Sequence, residues 1–70
     1  MEALKKYFYE NCHKNNELIG MLVIHDEEEY FINEFDQFCN TDKLPREVLI
    51  GKRQGSNYGK IVDTSELFIK

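Results

Sequence analysis

The sequence predicts a small α+β domain in which two helices pack on one face of a three- or four-stranded, mainly antiparallel sheet. Two segments have apolar residues at helical spacing, and three short apolar segments have the length of strands. The predicted order is helix, strand, helix, strand, strand, and a short last strand is an open alternative. A winged-helix fold is the main rival, with the last two strands as its wing.

The length of the chain limits both the core and the class of function. The chain has 70 residues, of which 41% are hydrophobic and 31% charged, so we expect one globular domain over residues 1–70. A chain of this size buries only about 60% of the surface of its unfolded form. A deep catalytic cleft is therefore not expected.

The compartment is predicted from what the sequence lacks. The longest apolar run, residues 18–24, is far shorter than the roughly 20 residues of a membrane span. The first residues show no apolar signal-peptide core. Cys12 and Cys39 are too few for the disulfide framework of small secreted domains. We therefore expect no membrane association, a cytoplasmic location and reduced thiols.

The first two elements are predicted to be a helix and a strand. Residues 2–14 carry an amphipathic stripe, which predicts a helix whose buried side is formed by Leu4, Tyr7, Phe8 and Cys12. Residues 18–24 are nearly all apolar and partly β-branched. This pattern is typical of a central strand that is buried on both faces.

Residues 26–40 are predicted to form the second helix. Asp26 has the chemistry of an N-cap, and Glu29 completes a capping-box pattern three residues later. The helical spacing is carried by Phe31, Ile32, Phe35, Phe38 and Cys39. The alternative is a hairpin that turns at Asp26 and Glu27, with residues 30–32 as a strand, but the spacing of the aromatic residues favours the helix.

The last third of the chain is predicted to form a hairpin. Leu44 precedes Pro45 and is therefore extended. Residues 48–50 and 60–63 read as strands, and residues 51–59 form a polar connection with three glycines. Residues 67–69 are either a short strand or part of a helical turn.

Charge is segregated along the chain, although the net charge is only -4. Residues 15–42 hold eight acids and no lysine or arginine. We expect the acidic helix either to be a solvated face or to dock on a basic protein surface. The partner-binding residues would then be Glu27, Glu28, Glu29, Glu34 and Asp36. Tyr9 and Tyr30 are further candidates, because tyrosine is favoured at binding surfaces.

The hairpin tip supports a second hypothesis, that of a nucleic-acid-binding module. Lysine and arginine suit phosphates, amides can donate hydrogen bonds, and a tyrosine can stack on an unpaired base. The candidate residues are Lys52, Arg53, Gln54, Asn57, Tyr58 and Lys60. The alternative is a turn whose cations protect the edge of the sheet from aggregation.

No residue pattern predicts a catalytic, metal or cofactor site. Cys12, His13, His25 and Cys39 lack the paired spacing of zinc ligands. His25 and Asp26 are linked to no serine by the spacing of a triad. We therefore expect a non-enzymatic inhibitor or regulator without metal or cofactor that docks on a protein partner. A homo-oligomer that pairs open sheet edges is also compatible with the sequence.

Overall fold

A computed structural model of the protein describes residues 1–36, 39–55 and 58–70. In these residues a six-stranded antiparallel sheet carries one α-helix. The strands are β1 (Glu2–Ala3), β2 (Leu22–His25), β3 (Glu28–Glu34), β4 (Glu47–Gly51), β5 (Lys60–Asp63) and β6 (Phe68–Ile69), and the helix is α1 (Leu4–Asn11). Two 3-10 helices span Asn15–Leu18 and Thr64–Glu66. The order of strands across the sheet is β1-β6-β2-β3-β4-β5.

The predicted second helix is wrong, because β2 and β3 form a hairpin there. Asp26 and Glu27 both have positive φ, 50° and 68°, and a turn of this kind matches the twist of the flanking strands. The two strands pair from His25 with Glu28 to Leu22 with Phe31. The hairpin alternative described the segment correctly.

The fold class was therefore predicted incorrectly, both as two helices on a smaller sheet and as a winged helix. The described chain has one helix of seven or more residues and is mostly β. The misleading signal was the spacing of aromatic residues after Asp26. Phe31 and Ile32 project from opposite faces of β3, so their apolar character does not mark one helical stripe.

The other elements lie close to their predicted positions, with shifted ends. The predicted first helix is shortened to α1, because Glu2 and Ala3 pair with β6. The strand predicted over residues 18–24 begins only at Leu22, after a 3-10 helix and a turn at Gly20 with φ 88°. β4 and β5 contain the predicted hairpin strands. Residues 64–66 form a helical turn and residues 68–69 a strand, so both open alternatives occur in succession.

The hydrophobic core lies between α1 and one face of the sheet. It comprises Leu4, Phe8, Leu18, Val23, Ile32, Val48, Ile50, Val62 and Leu67. The expected core differs from it in several places. Phe35 and Cys12 are only partly buried and pack against the core, whereas Cys39 is exposed. Phe38 lies outside the described residues.

A buried asparagine fixes the long connection between β3 and β4 to the start of the first 3-10 helix. The Asn15 N–H donates to the Thr41 carbonyl oxygen at 2.7 Å, and the Asn15 side-chain amide donates to the Thr41 hydroxyl at 3.0 Å. Asn15 is fully buried. These bonds satisfy its polar groups away from water. In the described part of the chain, no helix is long and apolar enough to cross a membrane.

Glu17 stabilises the same 3-10 helix, and its contribution is expected to depend on pH. One carboxylate oxygen accepts hydrogen bonds from the backbone N–H groups of Lys14 and His13, each at 2.8 Å. These bonds hold the pKa of Glu17 below its ordinary value. A carboxylate whose pKa is lower in the folded state than in the unfolded state stabilises the fold at pH values above its unfolded pKa. This stabilisation is lost as the pH falls through the lower, folded-state pKa.

The Glu17→Gln variant is therefore expected to melt at a lower temperature than the wild type at pH 7. This difference in melting temperature should become smaller once the pH is well below about 4.3, the ordinary pKa of glutamate. The measurement is a set of thermal melts across this pH range. Glu10→Gln, at an exposed carboxylate on α1, is the matched control. A Glu17→Gln deficit that is the same at acidic and neutral pH would contradict this role.

Candidate docking surface

The sheet has one face covered by α1 and a second face that no element of the described chain covers. Cross-strand partners in an antiparallel sheet share a face. Leu22 pairs with Phe31, and Leu49 pairs with Ile61. Their sequence neighbours point into the core, so these side chains project from the opposite side. We call this side the open face and define it by Leu22, Ile24, Phe31, Leu49, Ile61 and Phe68.

Large apolar side chains on the open face are accessible to solvent. Ile61 is 69% exposed, Leu22 is 39% exposed and Phe68 is 38% exposed. Phe31 and Leu49 are half-buried, and Ile24 is buried beside Phe68 on the neighbouring strand. Single exposed apolar residues are ordinary, whereas apolar side chains exposed together on one face of a sheet are a candidate interaction surface.

A groove crosses the open face where β3 separates from β4. The pairing register shifts between Ile32 and Glu34, and such a bulge bends its strand. The resulting groove has a volume of about 280 Å³. Its lining consists of Glu34, Phe35, Asp36, Glu47, Val48, Leu49 and Ile61. We call it the acidic groove, because three carboxylates surround an apolar floor.

The charged side chains that the strands direct to the open face are all negative. Register places Glu29, Glu34, Glu47 and Asp63 on this side. The Lys70 ammonium group lies 2.9 Å from the Glu29 carboxylate, and this hydrogen bond raises the pKa of Lys70. Arg46 lies 3.7 Å from Asp63. Within residues 1–36, 39–55 and 58–70, no ion pair neutralises the carboxylates of the acidic groove.

The five acids predicted to form one helical surface are separated by the strands. Glu27 lies in the β2–β3 turn, and Glu29 lies on the open face. Glu28 points to the other side, where the Lys52 ammonium group donates to its carboxylate at 3.1 Å. This hydrogen bond holds the pKa of Glu28 below its ordinary value. Of the five acids, only Glu34 and Asp36 line the acidic groove together.

The two candidate tyrosines are not part of the open face. The Lys52 and Lys60 ammonium groups lie 4.1 and 4.9 Å from the centre of the half-buried Tyr30 ring. Tyr9 belongs to α1 and is 56% exposed. Its hydroxyl accepts a hydrogen bond from the Leu44 N–H at 3.3 Å. Tyr30 therefore makes cation–π contacts with two lysines of the same chain, and Tyr9 forms a hydrogen bond with the connection before β4.

Some residues of the predicted nucleic-acid-binding site lie close together at the tip of the β4–β5 hairpin. Lys52, Arg53 and Tyr58 line a shallow depression, and Gln54 is exposed. Lys52 is already paired with Glu28, and Lys60 is directed towards Tyr30. Asn57 lies outside the described residues.

The titratable residues considered as ligands or catalysts lie apart from the acidic groove. Buried His25 has its Nε2 atom 3.4 Å from Glu66 and its Nδ1 atom 3.6 Å from Asp26. Burial raises the pKa of the Cys12 thiol, and Cys39 is exposed. Across the described ranges, no cluster of three or more His, Cys, Asp or Glu side chains has the arrangement of a metal site.

Sequence reasoning missed the apolar residues of the open face. Residues 28–34 do not alternate between polar and apolar side chains, so no pattern marked Phe31 as lying opposite Tyr30 and Ile32. Leu49 likewise stands within a continuous apolar run. Such a run does not reveal which of its side chains reach solvent.

We compared the chain with protein-family models, curated proteins and solved structures, and found no match. The assignment of the open face therefore depends on its own residues. Several apolar side chains of the open face are accessible, and the carboxylates of the acidic groove beside them form no ion pair within the described residues.

Proposed function

We propose that this protein is a non-enzymatic binding domain that inhibits or regulates a protein partner by docking on it through the open face. The observation that carries the proposal is the row of apolar side chains across adjacent strands, in which Ile61, Leu22 and Phe68 are accessible. Removing such side chains from water is the main favourable term in protein association. Full burial of one large aliphatic side chain contributes about 1.5–3 kcal/mol.

The dimensions of the molecule support a small interface. Its principal extents are 25 × 25 × 16 Å. A broad face thus offers on the order of 600 Å², somewhat less than the roughly 800 Å² that each partner buries in a standard interface. Some transient signalling complexes have interfaces at this lower end. The proposal of a regulator is consistent with that range.

Charge argues against a second copy or a nucleic acid as the occupant of the open face. A symmetric dimer places the same patch on both sides, so the carboxylates of one copy would approach those of the other. Phosphates would meet the same carboxylates. Like charges that face one another across an interface disfavour the complex. A different protein with positive charge avoids this cost.

Photocrosslinking from defined positions tests the proposal. A photoreactive amino acid at Ile61 is expected to give a discrete heterologous protein adduct in the cells that make this protein, because this side chain would be covered on docking. The same group at Lys5, which is exposed on α1, is the matched control. Gel mobility and mass spectrometry identify the adducts.

Three results would contradict docking by the open face. The first is an adduct of equal yield and identity from Lys5. The second is an adduct consisting of two copies of this chain. The third is an adduct that nuclease treatment removes, which would return attention to the basic hairpin.

A further inference from the structure

We propose that the acidic groove binds a short basic segment of the protein partner, in which an apolar side chain is flanked by lysine or arginine. The inference rests on the proposed function and names the chemistry of the contact. It combines two properties of one place in the fold. The floor of the groove is apolar, and its rim is negatively charged.

The apolar floor comes from two paired strands. Leu49 on β4 and Ile61 on β5 lie opposite each other. Leu49 is half-buried, whereas Ile61 remains 69% exposed. An incoming aliphatic side chain that packs across the two would cover both. The volume of about 280 Å³ is enough for one such side chain and part of its neighbours.

The acidic rim defines which residues flank that side chain. Glu34 on β3 pairs with Leu49 on β4, and Glu47 lies two residues before Leu49 on β4. Both carboxylates therefore lie beside the apolar floor. Asp36 extends the rim from the segment after β3. The nearby cation Arg46 is 89% exposed and lies 3.7 Å from Asp63. Lysine or arginine from a partner would meet carboxylates that the described chain leaves unneutralised.

Hydrogen bonds join the end of β5 to the residues before β4, beside one side of the groove. At the end of β5, the Thr64 N–H donates to the Arg46 carbonyl oxygen at 2.9 Å. The Thr64 hydroxyl donates to the Pro45 carbonyl oxygen at 2.8 Å. Thr64 is buried. The β4–β5 side of the groove is therefore held in place before a partner binds, and such preorganisation lowers the ordering cost of binding.

Labelled peptides test the chemistry directly, with anisotropy and stopped-flow association as readouts. The main probe is a short peptide in which lysine and leucine alternate. Peptides that alternate glutamate with leucine, or lysine with serine, separate the two contributions. We expect the lysine–leucine peptide to bind at least about tenfold more tightly than either of the others, with an association rate that falls as salt is added.

Paired variants locate the contact. Glu34→Gln combined with Glu47→Gln is expected to weaken binding about tenfold, mainly by slowing association. Glu10→Gln combined with Glu27→Gln removes two exposed carboxylates elsewhere and should leave binding unchanged. Ile61→Thr is expected to weaken binding, whereas Ile19→Thr, at an exposed isoleucine away from the groove, should not. Circular dichroism confirms that each variant is folded.

The outcomes distinguish this inference from the proposed function. Equal binding of the lysine–leucine and lysine–serine peptides would overturn the apolar part, and equal binding of the glutamate–leucine peptide would overturn the basic part. Equal effects of the two charge variants would remove the groove as the site. If no peptide binds while the crosslinker at Ile61 still captures a protein, the inference fails and docking by the open face stands. If the crosslinker also captures nothing, both fail.

Discussion

Ile32→Ala is expected to lower the free energy of unfolding by about 2–5 kcal/mol, which is a large part of the stability of a domain this small. Ile32 is fully buried in the middle of the sheet, where β3 pairs with both β2 and β4. Its truncation leaves a cavity that the surrounding strands cannot fill. Ile32→Val, which removes one methylene group, should cost only about 0.5–1.5 kcal/mol.

The adjacent residue provides the matched control for this prediction. Phe31 projects from the open face and is half-buried. Phe31→Thr keeps a residue that favours strands and should cost about 1 kcal/mol. Urea unfolding followed by circular dichroism measures all three variants. Similar large losses at both positions would contradict the alternation of β3, because they would place Phe31 and Ile32 in one buried cluster.

Phe8→Ala is expected to cost about 3–5 kcal/mol. Phe8 is 1% exposed and joins α1 to the core of the sheet. α1 has only eight residues, and isolated helices of this length are not stable in water. The packing of Phe8 and Leu4 therefore holds the helix in place.

Tyr9 is the neighbouring control for that variant. Tyr9→Phe keeps the ring, which lies 5.1 Å from Phe8 between centroids, and removes only the hydrogen bond with Leu44. The expected cost is about 0.5–1.5 kcal/mol. The same urea titrations, with helical ellipticity as a second signal, measure both changes. A Phe8→Ala protein as stable as Tyr9→Phe would show that α1 does not depend on this contact.

The sequence predicted those elements whose local pattern allows one structure. The stripe of Leu4 and Phe8 required a helix, and the hairpin of β4 and β5 was marked by short apolar segments around a glycine-rich connection. The segment after Asp26 allowed two structures. The aromatic residues fit helical spacing, while Asp26 and Glu27 also fit a hairpin turn, and pairing of β3 with β2 and β4 decided between the two structures. Local periodicity cannot include the stabilisation that comes from such distant pairing.

The candidate surface was harder to predict than the fold. The acids were recognised, but their grouping followed from the assumed helix, so Glu27 and Glu28 were grouped with residues that the sheet separates. Glu34 and Asp36 line the same groove because Glu34 ends β3 and Asp36 follows it two residues later. The apolar half of the surface depends on which strand faces remain uncovered. Which face remains uncovered depends on how many helices pack on the sheet and where they lie. The sequence pattern predicted one helix too many.

The most direct test of the open face is the relaxation of methyl signals by a soluble paramagnetic probe, measured by NMR on the isolated protein. The structure predicts strong relaxation for Leu22 and Ile61 and weak relaxation for Val23, Ile32 and Ile50, because these two groups lie on opposite faces of the sheet. Leu22 and Val23 are the most informative pair, being adjacent in sequence. Equal protection of Leu22 and Val23 would show a strand buried on both faces, and would contradict an open face available for docking.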